Sequence, residues 1–292
     1  MPPDGMRHTS SPPDGHGMFL EDLETWGPDR DSGRPAPTVA DAESYCRRLA
    51  TSHYENFPIV SWLLPKDLHQ HFYNVYAYCR WADDLGDEVG DSQRSLELLT
   101  WWRGELEGCY AGNAVHPVFV ALGPTIRQFD IPQTPFADLI SAFEQDQRVK
   151  EYETFDQLRD YCRRSADPVG RLVLYLCRQF TDEHAAWSDC ICTGLQLANF
   201  WQDVARDYAI GRIYLPRQDY ERFGVKRGDF DERASTPEFV QLLTFEVDRA
   251  RKWIRDGLPL IERLPGRLQV DIDLFARGGL KILDRIEGIG YR

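Results

Sequence analysis

Two stretches of this chain place carboxylates four residues apart. The first contains Asp83 and Asp87, and the second contains Asp203 and Asp207. If each stretch is helical, the two side chains of a pair lie on one face, one turn apart, where like charges repel each other. Hard divalent cations such as Mg²⁺ prefer carboxylate oxygens and commonly bridge to substrate phosphates. The spacing therefore predicts a metal site that faces a phosphorylated substrate.

The second stretch adds amide side chains to the same helical stripe. Gln196 and Asn199 precede Asp203 and Asp207, and the neighbouring residues are largely apolar. A polar stripe inside an apolar helix is costly to bury without partners. Amide and carboxylate oxygens together can coordinate a hard cation and hydrogen-bond its water shell. The candidate metal ligands are therefore Asp83, Asp84, Asp87, Asn199, Asp203 and Asp207.

Basic side chains stand close to both acidic stretches. Arg80 lies one helical turn before Asp84, and Arg212 follows the second pair of carboxylates. A guanidinium group can bind a diphosphate by paired hydrogen bonds, although a lone arginine is more often a surface ion-pair partner. His53 could hydrogen-bond a phosphate or satisfy a helix end. These three residues are candidate diphosphate contacts.

Composition limits the classes of partner. The net charge of -13 argues against nucleic acid, because phosphate-binding proteins need a basic surface. The seven cysteines are scattered without metal-site spacing, which favours free thiols in a reducing compartment. The sequence contains neither an apolar signal core nor an apolar stretch long enough to cross a membrane. We expect a cytoplasmic protein, and contact with a membrane surface stays open.

The pattern of apolar residues predicts one all-α domain. Residues 1–37 are rich in Pro, Gly, Asp and Ser and are predicted to form a flexible tail. From Thr38 onward the periodicity is helical, with long helices predicted near 66–87, 184–209, 236–263 and 268–287. Convincing strand alternation is absent from the sequence. Residues 38–292 are therefore predicted to be the catalytic domain.

Four ordered motifs resemble the squalene/phytoene synthase family, whose members join or rearrange isoprenoid diphosphates. The motifs are ENFPIVSWLLP, YAYCRWADDLGDE, YCRRSADPVG and NFWQDVARDYAIGRIYLP. The resemblance covers about residues 40–288 and implies a single-domain helical bundle with a central active-site cavity. It also implies that Mg²⁺, for which Mn²⁺ can substitute, holds the substrate diphosphate against both acidic motifs.

The family resemblance assigns roles to individual positions. Asp83, Asp87, Asp203 and Asp207 would hold the metal ions, and Tyr161 would line the reaction cavity; these five are the expected catalytic residues. The expected substrate-binding residues are His53, Asn56, Phe57, Arg80, Gln196, Asn199, Gln202, Arg212 and Tyr214.

Departures from the common family pattern resemble the hydroxysqualene synthase branch of bacterial hopanoid and squalene formation. They are Asn56-Phe57, the segment 166–170, Gln202 in place of an arginine, and Gly278-Gly279 where many carotenoid-type members have a tyrosine in the last helix. This branch implies a carbon–oxygen lyase that converts presqualene diphosphate and water to hydroxysqualene and pyrophosphate. No NADPH is then expected. We hypothesise that Gly278 and Gly279 widen the cavity floor to admit water.

Two other readings of the sequence stay open. The first is a prenyltransferase that condenses two prenyl diphosphates into presqualene diphosphate or phytoene. The second is a non-catalytic binding or assembly protein on the same fold, although such a protein would be expected to lose its acidic motifs. Other enzymes of the same pathway are candidate partners, and the sequence does not define the oligomeric state.

Overall fold

The computed structural model describes residues 15–29, 35–52, 65–230 and 236–291. Within these ranges every regular element is helical, apart from one isolated parallel β-bridge between Glu151 and Ile213. The prediction of an all-α fold is therefore confirmed. The chain divides into two compact units at Pro35, and each unit is described separately.

The second unit contains twelve α-helices and one short 3-10 helix, Arg227–Phe230, within the described residues. Its α-helices are α2 (Val39–Ser52), α3 (His69–Asp87), α4 (Ser92–Tyr110), α5 (Pro117–Phe129), α6 (Thr134–Asp146), α7 (Phe155–Ser165), α8 (Asp167–Leu176), α9 (Asp182–Ala209), α10 (Arg217–Arg222), α11 (Pro237–Gly257), α12 (Pro259–Arg263) and α13 (Gly266–Gly288).

The described part of the first unit contains one helix, α1 (Gly15–Trp26), which the sequence analysis did not predict. Phe19, Leu23 and Trp26 recur at helical spacing inside this otherwise polar segment, so a short amphipathic pattern was present. The surrounding Pro and Gly residues obscured it. Flexibility of residues 1–37 stays a prediction.

Helix α3 is fixed by a buried aromatic face. Trp81 stacks on Trp102 of α4 at a centroid distance of 5.4 Å, and its indole N–H donates to the Tyr45 hydroxyl at 2.9 Å. The Tyr78 hydroxyl donates to the backbone carbonyl of Phe136 at 2.7 Å. Buried aromatic groups whose polar atoms are satisfied give large packing energy without a desolvation penalty. This face holds the acidic C-terminal end of α3 in place.

Helix α9 is the longest helix and packs most extensively against α11. Thr181 caps its N-terminus by accepting a hydrogen bond from the backbone N–H of His184 at 3.1 Å. Gly194 allows the close approach, because a Cβ there would lie 2.5 Å from Ile254 Cγ1 and 2.7 Å from the Ile254 backbone nitrogen. The backbones of α9 and α11 therefore meet at a position that has no room for a side chain.

The glycine pair of α13 does not widen a cavity floor. A Cβ on Gly279 would lie 2.4 Å from Leu195 Cδ2 and 3.0 Å from Ile254 Cδ1, so this glycine is a packing contact with α9 and α11. Gly278 is exposed, and a Cβ there would meet no atom within 4 Å. The hypothesis that these glycines admit water is therefore wrong. Sequence alone could not show which face of α13 each residue occupies.

A buried polar cluster joins α10 to α11. Glu246 is fully buried, and both its carboxylate oxygens lie 3.0 Å from Arg249 Nη1. Arg249 also donates to Asp219 Oδ2 at 2.8 Å. Burial raises the pKa of Glu246 to about 8, an effect that Arg249 opposes and Asp219 reinforces.

This raised pKa makes stability depend on pH. Between pH 4.5 and about 8 the folded protein keeps a proton on Glu246 that the unfolded chain releases. The free energy of unfolding should therefore fall as pH rises through this window. Urea denaturation at a series of pH values should show a shallower fall for Glu246→Gln than for the wild type. Glu107→Gln, on an exposed position of α4, is the control, and identical slopes for all three proteins would contradict the assignment.

All seven cysteines are free thiols, as predicted. Burial raises the pKa of several of them, including Cys79 and Cys192, each to about 12, which makes them poor nucleophiles. Among the described helices none combines the length and the apolar character that a membrane span requires.

Candidate active site

The first acidic pair lies at the C-terminal end of α3. The side chains of Asp83 and Asp87 are 45% and 50% exposed. Asp84 differs because it is buried and held by Arg80, whose Nε lies 3.0 Å from Asp84 Oδ2 and whose Nη2 lies 2.5 Å from Asp84 Oδ1. Arg80 also lies 3.8 Å from Asp83 Oδ2. The geometry favours Asp83 and Asp87 as the accessible carboxylates, with Arg80 and Asp84 as a pair that fixes the end of α3.

The second acidic pair lies near the C-terminal end of α9. Asp203 and Asp207 are half-buried, Gln196 is half-buried and Asn199 is exposed. All four share one helical stripe, as the spacing predicted.

Gln202 lies away from this stripe. It lines a separate groove with Trp201, Tyr208 and Arg285, on the other side of α9. The Trp201 indole donates to the backbone carbonyl of Glu246 at 3.0 Å and belongs to the core. The structure thus does not bring Gln202 or Trp201 to the acidic residues.

Arg212 connects the two acidic pairs. Its backbone N–H donates to the carbonyl of Asp207 at 2.8 Å, and its Nη2 donates to Asp87 Oδ1 at 3.3 Å. The loop is further held by the Ile213 backbone N–H, which donates to the Lys150 carbonyl at 2.8 Å. The C-terminal ends of α3 and α9 therefore meet through this one residue, which the sequence analysis singled out.

Mutual repulsion shapes the electrostatics of the site. Burial, followed by the neighbouring Asp87, raises the pKa of Asp83 to about 6, against the opposing effect of Arg80. Burial, followed by Asp203, raises the pKa of Asp207 to about 6, against the opposing effect of Arg212. In each pair one carboxylate makes its neighbour harder to ionise. A cation at either pair would relieve this repulsion.

No group of three or more His, Cys, Asp or Glu side chains in the described ranges converges on one metal position. Each acidic pair supplies two carboxylates, and Mg²⁺ is usually bound by one or two carboxylates together with substrate phosphates and water. Two half-sites, each with two carboxylates, fit metal ions that bridge to a diphosphate. The donor set therefore fits the metal that the motifs predict.

Asp146 is a site residue that the sequence analysis missed. It lies at the end of α6, is buried, and accepts a hydrogen bond from the Tyr161 hydroxyl at 2.9 Å. Burial raises its pKa to about 6, whereas the nearby Arg212 opposes this rise and Asp87 adds to it. Asp146 has no partner carboxylate at helical spacing, so no pattern distinguished it from a surface acid.

Tyr161 belongs to an aromatic cluster beneath the Arg212 loop. Phe200 stacks on Tyr214 at a centroid distance of 3.8 Å, and Tyr161 lies 6.3 Å from Phe200 and 6.2 Å from Tyr214. Tyr152 completes the cluster at 5.7 Å from Tyr161. The structure thus brings the predicted residues Tyr161 and Tyr214 together. His53, Asn56 and Phe57 lie outside the described residues.

The contact between Asp146 and Tyr161 leads to a testable expectation. Asp146→Ala leaves the buried Tyr161 hydroxyl without this acceptor, which should lower the free energy of unfolding by about 1–3 kcal/mol. Asp146→Asn keeps an acceptor oxygen and should lose less. Chemical denaturation of both variants measures the difference, and Asp160→Ala, at an exposed position of α7, serves as the control. Equal losses for the alanine and asparagine variants would contradict the role of this hydrogen bond.

An apolar cavity of about 360 Å³ extends to within one turn of the acidic end of α3. Its walls come from α3, α8, α9, α12 and α13 and are almost entirely apolar. Tyr76 and Cys79 line it on α3, one turn before Arg80 and Asp83. A hydrocarbon chain attached to a diphosphate at the acidic residues could therefore enter this cavity.

Comparison with known proteins agrees with this geometry. The family described as squalene/phytoene synthase matches residues 50–292. The chain is 31% identical over 275 residues to a 15-cis-phytoene synthase of Synechocystis, covering 89% of this chain and 81% of that protein. It is 35% identical over 222 residues to a hydroxysqualene synthase of Rhodopseudomonas palustris, covering 74% of each.

Solved structures give the same result. The crystal structure of squalene synthase HpnC from Alicyclobacillus acidocaldarius superimposes with a TM-score of 0.83 and 45% sequence identity, covering 87% of this chain and 96% of that chain. The helical fold, the two acidic pairs and these matches define an isoprenoid synthase. The chain belongs to the squalene/phytoene synthase family, whose members are enzymes of isoprenoid biosynthesis.

Proposed function

We propose that this enzyme converts presqualene diphosphate and water to hydroxysqualene and pyrophosphate. The observation that supports this most strongly is the connection of both acidic pairs through Arg212, together with an apolar cavity that Cys79 lines one turn before Asp83. Such a site can bind a diphosphate at one end and hydrocarbon chains at the other. Likeness to a hydroxysqualene synthase supports the choice of reaction.

The residues of the site fit a metal-bound diphosphate. Asp83 and Asp87 on one side, and Asn199, Asp203 and Asp207 on the other, would hold Mg²⁺, which Mn²⁺ could replace. When bound, the metal ions would neutralise the leaving diphosphate. Arg212 donates a hydrogen bond to Asp87. On substrate binding, Arg212 would release Asp87 and donate to diphosphate oxygens instead.

In the proposed reaction the carbon–oxygen bond to the diphosphate breaks, and the diphosphate leaves with the electron pair. The cyclopropylcarbinyl cation rearranges, a water oxygen bonds to carbon, and the proton of that water passes to the released diphosphate. Tyr161, Phe200 and Tyr214 offer aromatic faces that would stabilise the cation by about 2 kcal/mol or more where water is excluded. Asp146 would keep the Tyr161 ring oriented through its hydrogen bond.

The proposal includes expectations about cofactors and partners. The reaction needs no hydride, so no NADPH is expected. The substrate is an isoprenoid diphosphate, nucleic acid is not a partner, and other enzymes of the same pathway are candidate partners. We propose a cytoplasmic location with contact to a membrane surface, since the substrate and product both carry long hydrocarbon chains.

A condensing prenyltransferase is the second candidate. The likeness to a phytoene synthase, which covers most of the chain, supports a reaction that joins two prenyl diphosphates. The same metal-binding residues would serve that reaction. It differs in the substrates consumed and in whether the first product keeps a diphosphate.

A substrate panel tests the proposal. Purified protein is incubated with Mg²⁺ and, separately, presqualene, farnesyl or geranylgeranyl diphosphate, without NADPH, and lipids and pyrophosphate are quantified. We expect turnover of presqualene diphosphate only. Consumption of farnesyl or geranylgeranyl diphosphate, with presqualene diphosphate left intact, would replace the proposed reaction with condensation.

A further inference from the structure

One carboxylic acid lines the otherwise apolar cavity. Asp271 on α13 is only 7% exposed, and its Oδ2 atom is buried without a hydrogen-bond partner. The side chains around it in the cavity wall include Leu268, Ile272 and Phe275. A buried polar atom without a partner is unfavourable, and proteins keep such groups mainly where they have a function.

The surroundings of Asp271 disfavour its charged form. Burial raises the pKa of this carboxyl group, and no charged residue contributes to the shift. A buried carboxyl group needs hydrogen-bond partners in either protonation state, and an apolar wall does not supply them. Water in the cavity can supply them, whereas a hydrocarbon cannot.

Asp271 lies far from the second acidic pair. Helices α9 and α13 run in the same direction. The earlier residues Ser188 of α9 and Leu268 of α13 both line the cavity, whereas the later residues Gln202 of α9 and Arg285 of α13 both line the groove beyond it. Gly279 of α13 meets Leu195 of α9. Asp271 precedes Gly279 by two turns, roughly 12 Å, and Leu195 precedes Asp203 by a similar distance. A chain that is anchored by its diphosphate at Asp203 would thus reach Asp271 with its far end.

We propose that Asp271 limits the length of the prenyl chain that the cavity accepts. This inference rests on the proposed function, in which the substrate arms are farnesyl-derived. A farnesyl arm would leave the carboxyl group hydrated, whereas the extra isoprene unit of a geranylgeranyl arm would displace the water and offer no hydrogen bond. Asp271 is therefore a specificity-determining residue that acts by its polarity.

Binding and turnover of paired substrates test this proposal. Unreactive thio-diphosphate analogues with farnesyl and geranylgeranyl chains are titrated in the presence of Mg²⁺, and turnover of presqualene and prephytoene diphosphate is compared. The variants are Asp271→Leu, which removes polarity at similar size, and Asp271→Asn, which keeps it. Asp273→Leu is the matched control, since Asp273 pairs with Arg277 and is not part of the cavity wall.

We expect the wild type, Asp271→Asn and Asp273→Leu to favour the farnesyl chain by about tenfold or more. Asp271→Leu should reduce this preference to about threefold or less and should unfold at a higher temperature than the wild type. An unchanged preference in Asp271→Leu would overturn the proposal while leaving the proposed function intact. Failure of the wild type to turn over either presqualene or prephytoene diphosphate would overturn both.

Discussion

Asp83→Asn and Asp203→Asn are each expected to lower turnover by roughly a thousandfold or more, with helical content unchanged. Each substitution removes one of the carboxylates that we propose to bind metal, and electrostatic stabilisation of a leaving group is usually the largest single contribution to such a reaction. The fold should not suffer, because neither residue is fully buried. Loss of a repelling neighbour should even raise the free energy of unfolding, by about 0.2–0.5 kcal/mol.

Steady-state kinetics at several Mg²⁺ concentrations, together with circular dichroism, measures both effects. Asp248→Asn is the control, because this acid lies on α11 with its side chain 67% exposed. Variants that lose helical content together with activity would show that the acids are structural. If the variants keep wild-type turnover, neither acidic pair belongs to the active site.

Gly194→Leu is expected to have the largest effect on stability. A side chain at Gly194 would meet Ile254 Cγ1 and the Ile254 backbone nitrogen, 2.5 and 2.7 Å from the position of its Cβ. Because backbone atoms cannot rotate away, α9 and α11 must separate. We expect a loss of about 3 kcal/mol and a melting temperature lower by about 10 °C.

Gly278→Leu provides the matched comparison, since this glycine lies within α13 with no atom within 4 Å of the position of its Cβ. Leucine has a higher helix propensity than glycine, so this variant should melt at or slightly above the wild-type temperature. Differential scanning calorimetry measures the melting temperature of both variants. Equal shifts for the two would mean that the close approach of α9 and α11 contributes nothing.

The acidic pairs could be predicted from the sequence because their chemistry is local. A spacing of four residues places two carboxylates on one helical face whatever the rest of the fold does. The same reasoning predicted helices that contain both pairs, which the structure confirms. The role of Arg212 as a diphosphate contact stays a prediction. The type of a secondary-structure element, and which side chains lie one helical turn apart, depend on few residues. Both can therefore be predicted without knowledge of the tertiary structure.

Other features depend on packing between distant segments. Asp146 accepts a hydrogen bond from Tyr161 and interacts electrostatically with Arg212, and nothing within its own helix shows this. Gly279 was predicted to open a cavity, whereas it packs against Leu195. Asp271 lies in a largely apolar cavity wall, which no periodicity in α13 indicated. In each case the missing information was the identity of the facing side chain.

The most direct test of the proposed reaction is the origin of the oxygen atom in the product. The protein is incubated with Mg²⁺ and presqualene diphosphate in ¹⁸O-labelled water without NADPH, and the extracted lipid is analysed by mass spectrometry. We predict hydroxysqualene that contains one ¹⁸O atom, together with pyrophosphate released in equal amount. A hydrocarbon without oxygen, or intact presqualene diphosphate, would contradict the proposed capture of the cation by water.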